Sequence, residues 1–116
     1  MTLKHSNLAL VGSVIAGLVT SVNLACAACP GANQQEMNQC AEADYQKADA
    51  ELTKVYAKLD KTPELRAAER AWIAYRDAEC TYETADNRGG SMEPMIYSGC
   101  MATMTKQRIA VLKAGS

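Results

Sequence analysis

The side chains able to do chemistry are few, and their spacing limits what they can do. The chain of 116 residues has five cysteines and a single histidine. His5 lies in a segment that reads as a cleaved signal peptide, so the remaining chain would have no imidazole for a Ser-His-Asp triad or a Cys-His pair. Cys29, Cys40, Cys80 and Cys100 are too widely spaced for zinc, which prefers a Cys-x-x-Cys pair. Cys26-Ala27-Ala28-Cys29 has the redox spacing, but it straddles an expected cleavage point. Asp77 and Glu79 are the obvious carboxylates to test for glycosidase chemistry, yet residues two apart point to different helix faces. Met92, Met95, Met101 and Met104 read as gap-filling apolar side chains rather than thioether ligands for copper. No phosphate loop or dinucleotide fingerprint is present in the sequence. The expectation is a protein that is not an enzyme, with no catalytic residues, no metal and no cofactor.

The cysteines point instead to an oxidising compartment. Residues 1–27 read as a secretory signal peptide. Lys4 and His5 precede an apolar run from Leu8 to Val22, and Ala25-Cys26-Ala27 is an A-x-A-like cleavage signal. That run is shorter than the ~20 residues of a transmembrane helix, so no membrane span is expected after cleavage. Lipid anchoring at Cys26 is the lesser alternative, because Asn23 stands where a lipoprotein signal usually has Leu. Cleavage would leave residues 28–116 with an even set of four cysteines, which suits two disulfides in a periplasmic or secreted protein. Four cysteines allow three connectivities. Cys80 with Cys100 is favoured, since it closes a helical hairpin, and Cys29 with Cys40 would then tie down the N-terminal tail.

Composition narrows the class further. Charged residues make up 22% of the chain and the formal net charge is −1, which leaves no basic footprint for nucleic acid. Apolar periodicity predicts three helices and no strand. The first spans Gln34 to about Asp60 through Met37, Ala41, Tyr45, Ala48, Leu52, Val55 and Leu59. Thr62-Pro63-Glu64 should cap the second, whose stripe is Leu65, Ala68, Trp72, Tyr75 and Tyr82, with Ala78 replacing the misfit Glu79 at the seam. The tight turn between these two helices predicts that they are antiparallel neighbours. Asp86-Asn87-Arg88-Gly89-Gly90-Ser91 is the strongest loop signal, with both glycines free to take positive φ and Ser91 able to cap the next helix. The third helix should run from Glu93 or Pro94 to Lys113, with Tyr97, Cys100, Met101, Met104, Ile109, Val111 and Leu112 on its apolar face. The expected fold is all-α, a small antiparallel three-helix domain stapled by two disulfides.

The string Trp72-Ile73-Ala74-Tyr75-Arg76-Asp77-Ala78-Glu79-Cys80 is followed by Gly89-Gly90-Ser91, Pro94, Cys100, Thr105, Arg108, Ile109 and Leu112. This pattern resembles the lysozyme inhibitor LprI-like family. Upstream, Cys29, Glu36-Met37, Cys40, Asp49, Leu52 and Tyr56 fit the family's first helix, with Thr53 where Asn is frequent. The resemblance covers essentially residues 28–116. It implies an exported helical domain held by disulfides, whose namesake resembles an inhibitor of lysozyme. The implied activity is blocking of a lysozyme-type muramidase without catalysis. The alternative is a periplasmic interaction or envelope-stress module with another partner. Fold transfers along a family more securely than function.

The motif residues also have a plain physical reading. Trp72 and Tyr75 are three apart and read as core, with an exposed binding anchor as the alternative. Arg76 and Asp77 are adjacent and should not pair face to face, so each is expected to reach another helix or cap one. Arg108 is a candidate partner for one of the acids. The loop Asp86–Ser91, based on the favoured bridge, is the candidate partner-binding element, because a rigid loop loses little entropy on binding.

Overall fold

The structure, a computed structural model, describes residues 31–116. Three α-helices and one short 3-10 turn account for these residues, with no strand among them. Helix α1 spans Gln34–Ala57, α2 Pro63–Thr84 and α3 Glu93–Ala114, with the turn at Ala85–Asn87. The expected signal peptide and Cys29 lie outside the described residues. Asn33 opens α1 by accepting from the Glu36 amide, while the Glu36 carboxylate accepts from the Ala32 amide at 2.7 Å. The helix ends at Ala57, three residues short of Asp60, and Lys61 Nζ donates to the terminal Ala57 carbonyl at 3.1 Å. Thr62 Oγ1 accepts from the Leu65 amide at 3.1 Å and Pro63 occupies the first turn of α2. Ser91 does not cap α3. Met92 holds that position without a side-chain bond, and Glu93 reaches back to accept from the Gly89 amide.

Helices α1 and α2 meet through side chains and line a common groove, but the close backbone packing lies elsewhere. Helices α1 and α2 follow each other through a tight turn, yet they make almost no close backbone approach; α1 packs mainly on α3, and α2 packs on α3 less extensively. The reason lies in the small residues. Ala48 on α1 and Ser98, Ala102 and Thr105 on α3 are all buried. Such side chains let two helices come close. Polar contacts fix their register: Ser98 Oγ donates to Glu42 at 2.8 Å, Lys106 meets Asp44 at 2.7 Å, and Lys113 meets Glu51 at 3.4 Å. These contacts advance together along α1 and α3. Those between α2 and α3 (Cys80–Cys100, Arg76–Thr105, Glu69–Arg108) advance in opposite senses.

The apolar core sits at the C-terminal ends of α1 and α3. Leu52, Val55, Ile109 and Leu112 form it, with Leu59, Leu65 and Trp72 packed against it. Each such buried side chain contributes ~1.5–3 kcal/mol. The expected stripe on α2 is displaced. Ala68, Tyr75, Ala78 and Tyr82 are not buried, and the buried residues are Glu69, Arg76, Cys80 and Thr84. Polar groups that find partners thus displace aromatic ones from the seam. On α3, Val111 is likewise exposed. Cys80 and Cys100 are joined, with Cα atoms 5.6 Å apart, and this is the one bridge with both ends seen among the described residues. Cys40 is also bonded, and its expected pairing with Cys29 falls outside them.

Candidate functional site

The motif residues separate into a buried cluster, an exposed flank and a loop. Arg76 is the centre of the first, only 7% exposed although it is a cation. Such a group must be paired to be tolerated. Its Nε donates to Asp77 Oδ1 at 3.0 Å, its Nη1 donates to the buried Thr105 hydroxyl at 3.4 Å, and Asp49 lies 3.9 Å away. The adjacent pair Arg76–Asp77 therefore does meet, against the expectation from helix geometry. The arginine side chain is long enough to fold around to its neighbour while its Cβ stays on the inner face.

Two guanidinium groups flank the only tryptophan. Arg76 Cζ lies 5.0 Å from the Trp72 ring centroid and Arg108 Cζ 5.8 Å from it. Arg76 also lies 5.7 Å from the Tyr45 ring. These are cation–π distances. Arg108 Nε donates to Glu69 Oε2 at 2.9 Å, and its Nη2 lies 2.8 Å from the same oxygen as an ion pair. Burial raises the Tyr45 phenol above its ordinary pKa, with the nearby Arg76 charge opposing and Asp49 and Asp77 adding to the rise. Trp72, Arg76, Asp77, Thr105 and Arg108 are thus brought into one cluster whose geometry is structural. Every buried side-chain nitrogen and oxygen among the described residues has a partner. Glu69, Tyr45 and Asp49 belong to the cluster; the sequence places Tyr45 on the apolar stripe and Asp49 in the family's first helix without giving either this role, and it does not single out Glu69. Glu69 does leave a signal: Cys80 marks a buried position, and Arg76 and Glu69 lie four and eleven residues before it on the same helix face.

Tyr75 is not in the cluster. It is 58% exposed and Tyr82 77% exposed, on the flank of α2 that also carries Glu79 and Glu83.

The loop is the third element. Gly89 takes φ +79°, whereas Gly90 does not take positive φ. The Arg88 amide donates to Ala85 O at 3.3 Å, the Gly90 amide to Asn87 O at 2.9 Å, and the Glu93 amide to Gly90 O at 3.2 Å. Asn38 Nδ2 on α1 donates to Ser91 O at 2.9 Å, which ties the loop to the helix that α3 packs on. Asp86, Arg88, Gly89, Gly90 and Ser91 are exposed and Asn87 is half-buried. Arg88 has no ion-pair partner among the described residues. The loop is therefore braced through its backbone while presenting a free guanidinium. No group of three or more acids, cysteines or histidines that could hold a metal is found among the described residues. No helix among them is long and apolar enough to cross a membrane.

The family model for lysozyme inhibitor LprI matches residues 26–112. An uncharacterised protein of Rhizobium meliloti (strain 1021) is 42% identical, the match covering 70% of this chain and 72% of that protein. No solved structure matches the chain. With its cysteine-bridged helices and most of its length matched, the chain belongs to the lysozyme inhibitor LprI family.

Proposed function

We propose that this protein is an exported, non-catalytic inhibitor that binds a lysozyme-type muramidase and occludes its cleft. Membership of the LprI family is the observation that carries this reading. In it, residues 1–27 direct export and are removed, and residues 28–116 act in the periplasm or outside the cell. The braced loop Asp86–Ser91 supports a contact role. Its hydrogen-bonded backbone leaves little ordering entropy to lose on binding. Glycosidases of this kind hold a pair of carboxylates in the cleft. The exposed Arg88, with no ion-pair partner among the described residues, has the charge and the reach of a guanidinium to meet them.

The test is lysis of peptidoglycan-bearing cells by c-, g- and i-type lysozymes, with the purified oxidised protein titrated in. The reading expects stoichiometric inhibition of one class, and weakening of that inhibition by Arg88→Glu with the helical circular dichroism unchanged. Absence of inhibition of every class at micromolar protein refutes it.

A further inference from the structure

The separation of α1 from α2 leaves an open groove of about 350 Å³ between them, on the opposite side of α2 from the exposed tyrosines. Leu52 and Tyr56 of α1 and Ile73 of α2 give it an apolar floor, and Ile73 is among the exposed large apolar residues. Arg66, Arg70 and Arg76 line it on the α2 side. The acids on its walls are already engaged, Asp49 near Arg76 and Glu69 with Arg108. Arg66 and Arg70 are exposed and have no ion-pair partner among the described residues. Arg76 has five N–H donors and two hydrogen bonds. It is itself buried and engaged with Asp77 and Thr105, so the available cationic charge on this side comes from Arg66 and Arg70. The surface is therefore apolar along its floor and cationic along one wall.

We infer that this groove is a second binding site, which takes an acidic amphipathic helix of a partner protein. Arg66 and Arg70 are four residues apart, about 6 Å along the helix axis. Carboxylates four apart on a guest helix have the same spacing and would face both guanidinium groups. The apolar face of the guest would rest on Leu52, Tyr56 and Ile73, the helix-in-groove mode of recognition. Charge complementarity sets the occupant. The chain's own N-terminal segment does not fit, because no Asp or Glu precedes Glu36. The inference does not depend on the lysozyme reading, since the groove and the loop use different residues.

The experiment is calorimetric titration of the full oxidised protein with three synthetic amphipathic helical peptides. They share an apolar face and differ in carrying Glu, Gln or Lys at two positions four apart. The Glu peptide is expected to bind at least about tenfold more tightly than the Gln peptide, the scale of one net charge-assisted contact, with the ratio shrinking as salt rises. Arg66→Gln/Arg70→Gln should abolish that ratio; both side chains are exposed, so the fold should survive. Glu79→Gln/Glu83→Gln, on the opposite flank, should leave it unchanged. Equal binding of the Glu and Gln peptides, a preference that persists in the arginine double variant, or no saturation with any peptide at millimolar concentration would each overturn the inference. So would sedimentation showing that a second copy of the protein occupies the groove and excludes the peptide.

Discussion

The Glu69–Arg108 pair offers a quantitative test of how α2 is held. Both side chains are nearly enclosed, at 11% and 14% exposure, and two nitrogens of Arg108 lie close to one carboxylate oxygen. Glu69→Met would leave the Arg108 guanidinium enclosed beside Trp72 with no counter-ion. Stranding one member of a buried pair costs ~3–5 kcal/mol. In a domain of this size each kcal/mol moves the melting temperature by ~4–8 °C, so the fall should be at least about 12 °C. Arg108→Met should behave alike, because it strands Glu69. The double variant Glu69→Met/Arg108→Met replaces the pair by two apolar side chains of similar reach. It should recover to within about 1–2 kcal/mol of the parent, since apolar replacement of a buried ion pair is commonly neutral or better. The assay is guanidinium unfolding read by fluorescence of Trp72, the sole tryptophan, which packs against the apolar core and lies beside both arginines. Two single variants each within about 1 kcal/mol of the parent would refute the enclosed pair. A double variant as damaged as the sum of the singles would show that the side chains act independently.

Three further outcomes are expected. The Cys80–Cys100 bridge closes a segment with sequence separation 20, for which loop-closure entropy gives about 3 kcal/mol, so Cys80→Ser should lower the melting temperature far more than a surface change does. An unchanged melting curve would contradict it. Gly89→Ala has open space around its Cβ but must hold φ +79°, so it should lose ~1–2 kcal/mol by strain alone, measurable by chemical denaturation. The raised Tyr45 pKa means the folded state keeps the phenol proton longer than the unfolded chain. The associated stability is complete below the ordinary tyrosine pKa of about 10 and is lost as pH rises from there through the folded value. Stability measured across that alkaline range should therefore fall less steeply in Tyr45→Phe, and equal slopes would refute the assignment.

The three helices and the Thr62 cap were legible because local rules decide them, whereas the cap expected at Ser91 falls to Met92 without a side-chain bond. Thr62-Pro63 and the Gly-bearing loop mark where the chain must stop and restart, whatever packs on what. The buried face of α2 was not legible from hydrophobicity. Trp72, Tyr75 and Tyr82 give the stronger apolar stripe, yet only Trp72 is drawn inward, because the inner face is fixed by Cys80 and by charges with partners on other helices. Those partners, Asp49 on α1 and Thr105 and Arg108 on α3, are distant in sequence, and no helical period reveals them. The pairing of α1 with α3 was hidden for a related reason. Small residues such as Ala48 and Ala102 carry little hydrophobic signal, while they set which backbones can approach.

These two departures share a consequence for binding. By filling its seam with Glu69, Arg76 and Cys80, α2 gives up burial of Ile73 on one flank and of Tyr75 and Tyr82 on the other. The flank towards α1 carries Arg66 and Arg70, and the opposite flank carries Glu79 and Glu83, with Asp86 just beyond α2 in the 3-10 turn. A helix with an ordinary apolar seam would have hidden its aromatic residues and left a mixed polar surface. Here the Glu69–Arg108 pair, the Arg76–Thr105 bond and the Cys80–Cys100 bridge hold α2 on α3, and Ile73, Tyr75 and Tyr82 remain at the surface, where large rigid groups dominate recognition. The braced loop is held by its own turns and by Asn38 on α1, so it is tied to α1 rather than to the α2 seam. Glu69→Met therefore discriminates between two kinds of contact. If the loop alone engages a partner, binding measured well below the variant's melting temperature should change little; if the flanks of α2 take part, it should weaken as the helix shifts on α3.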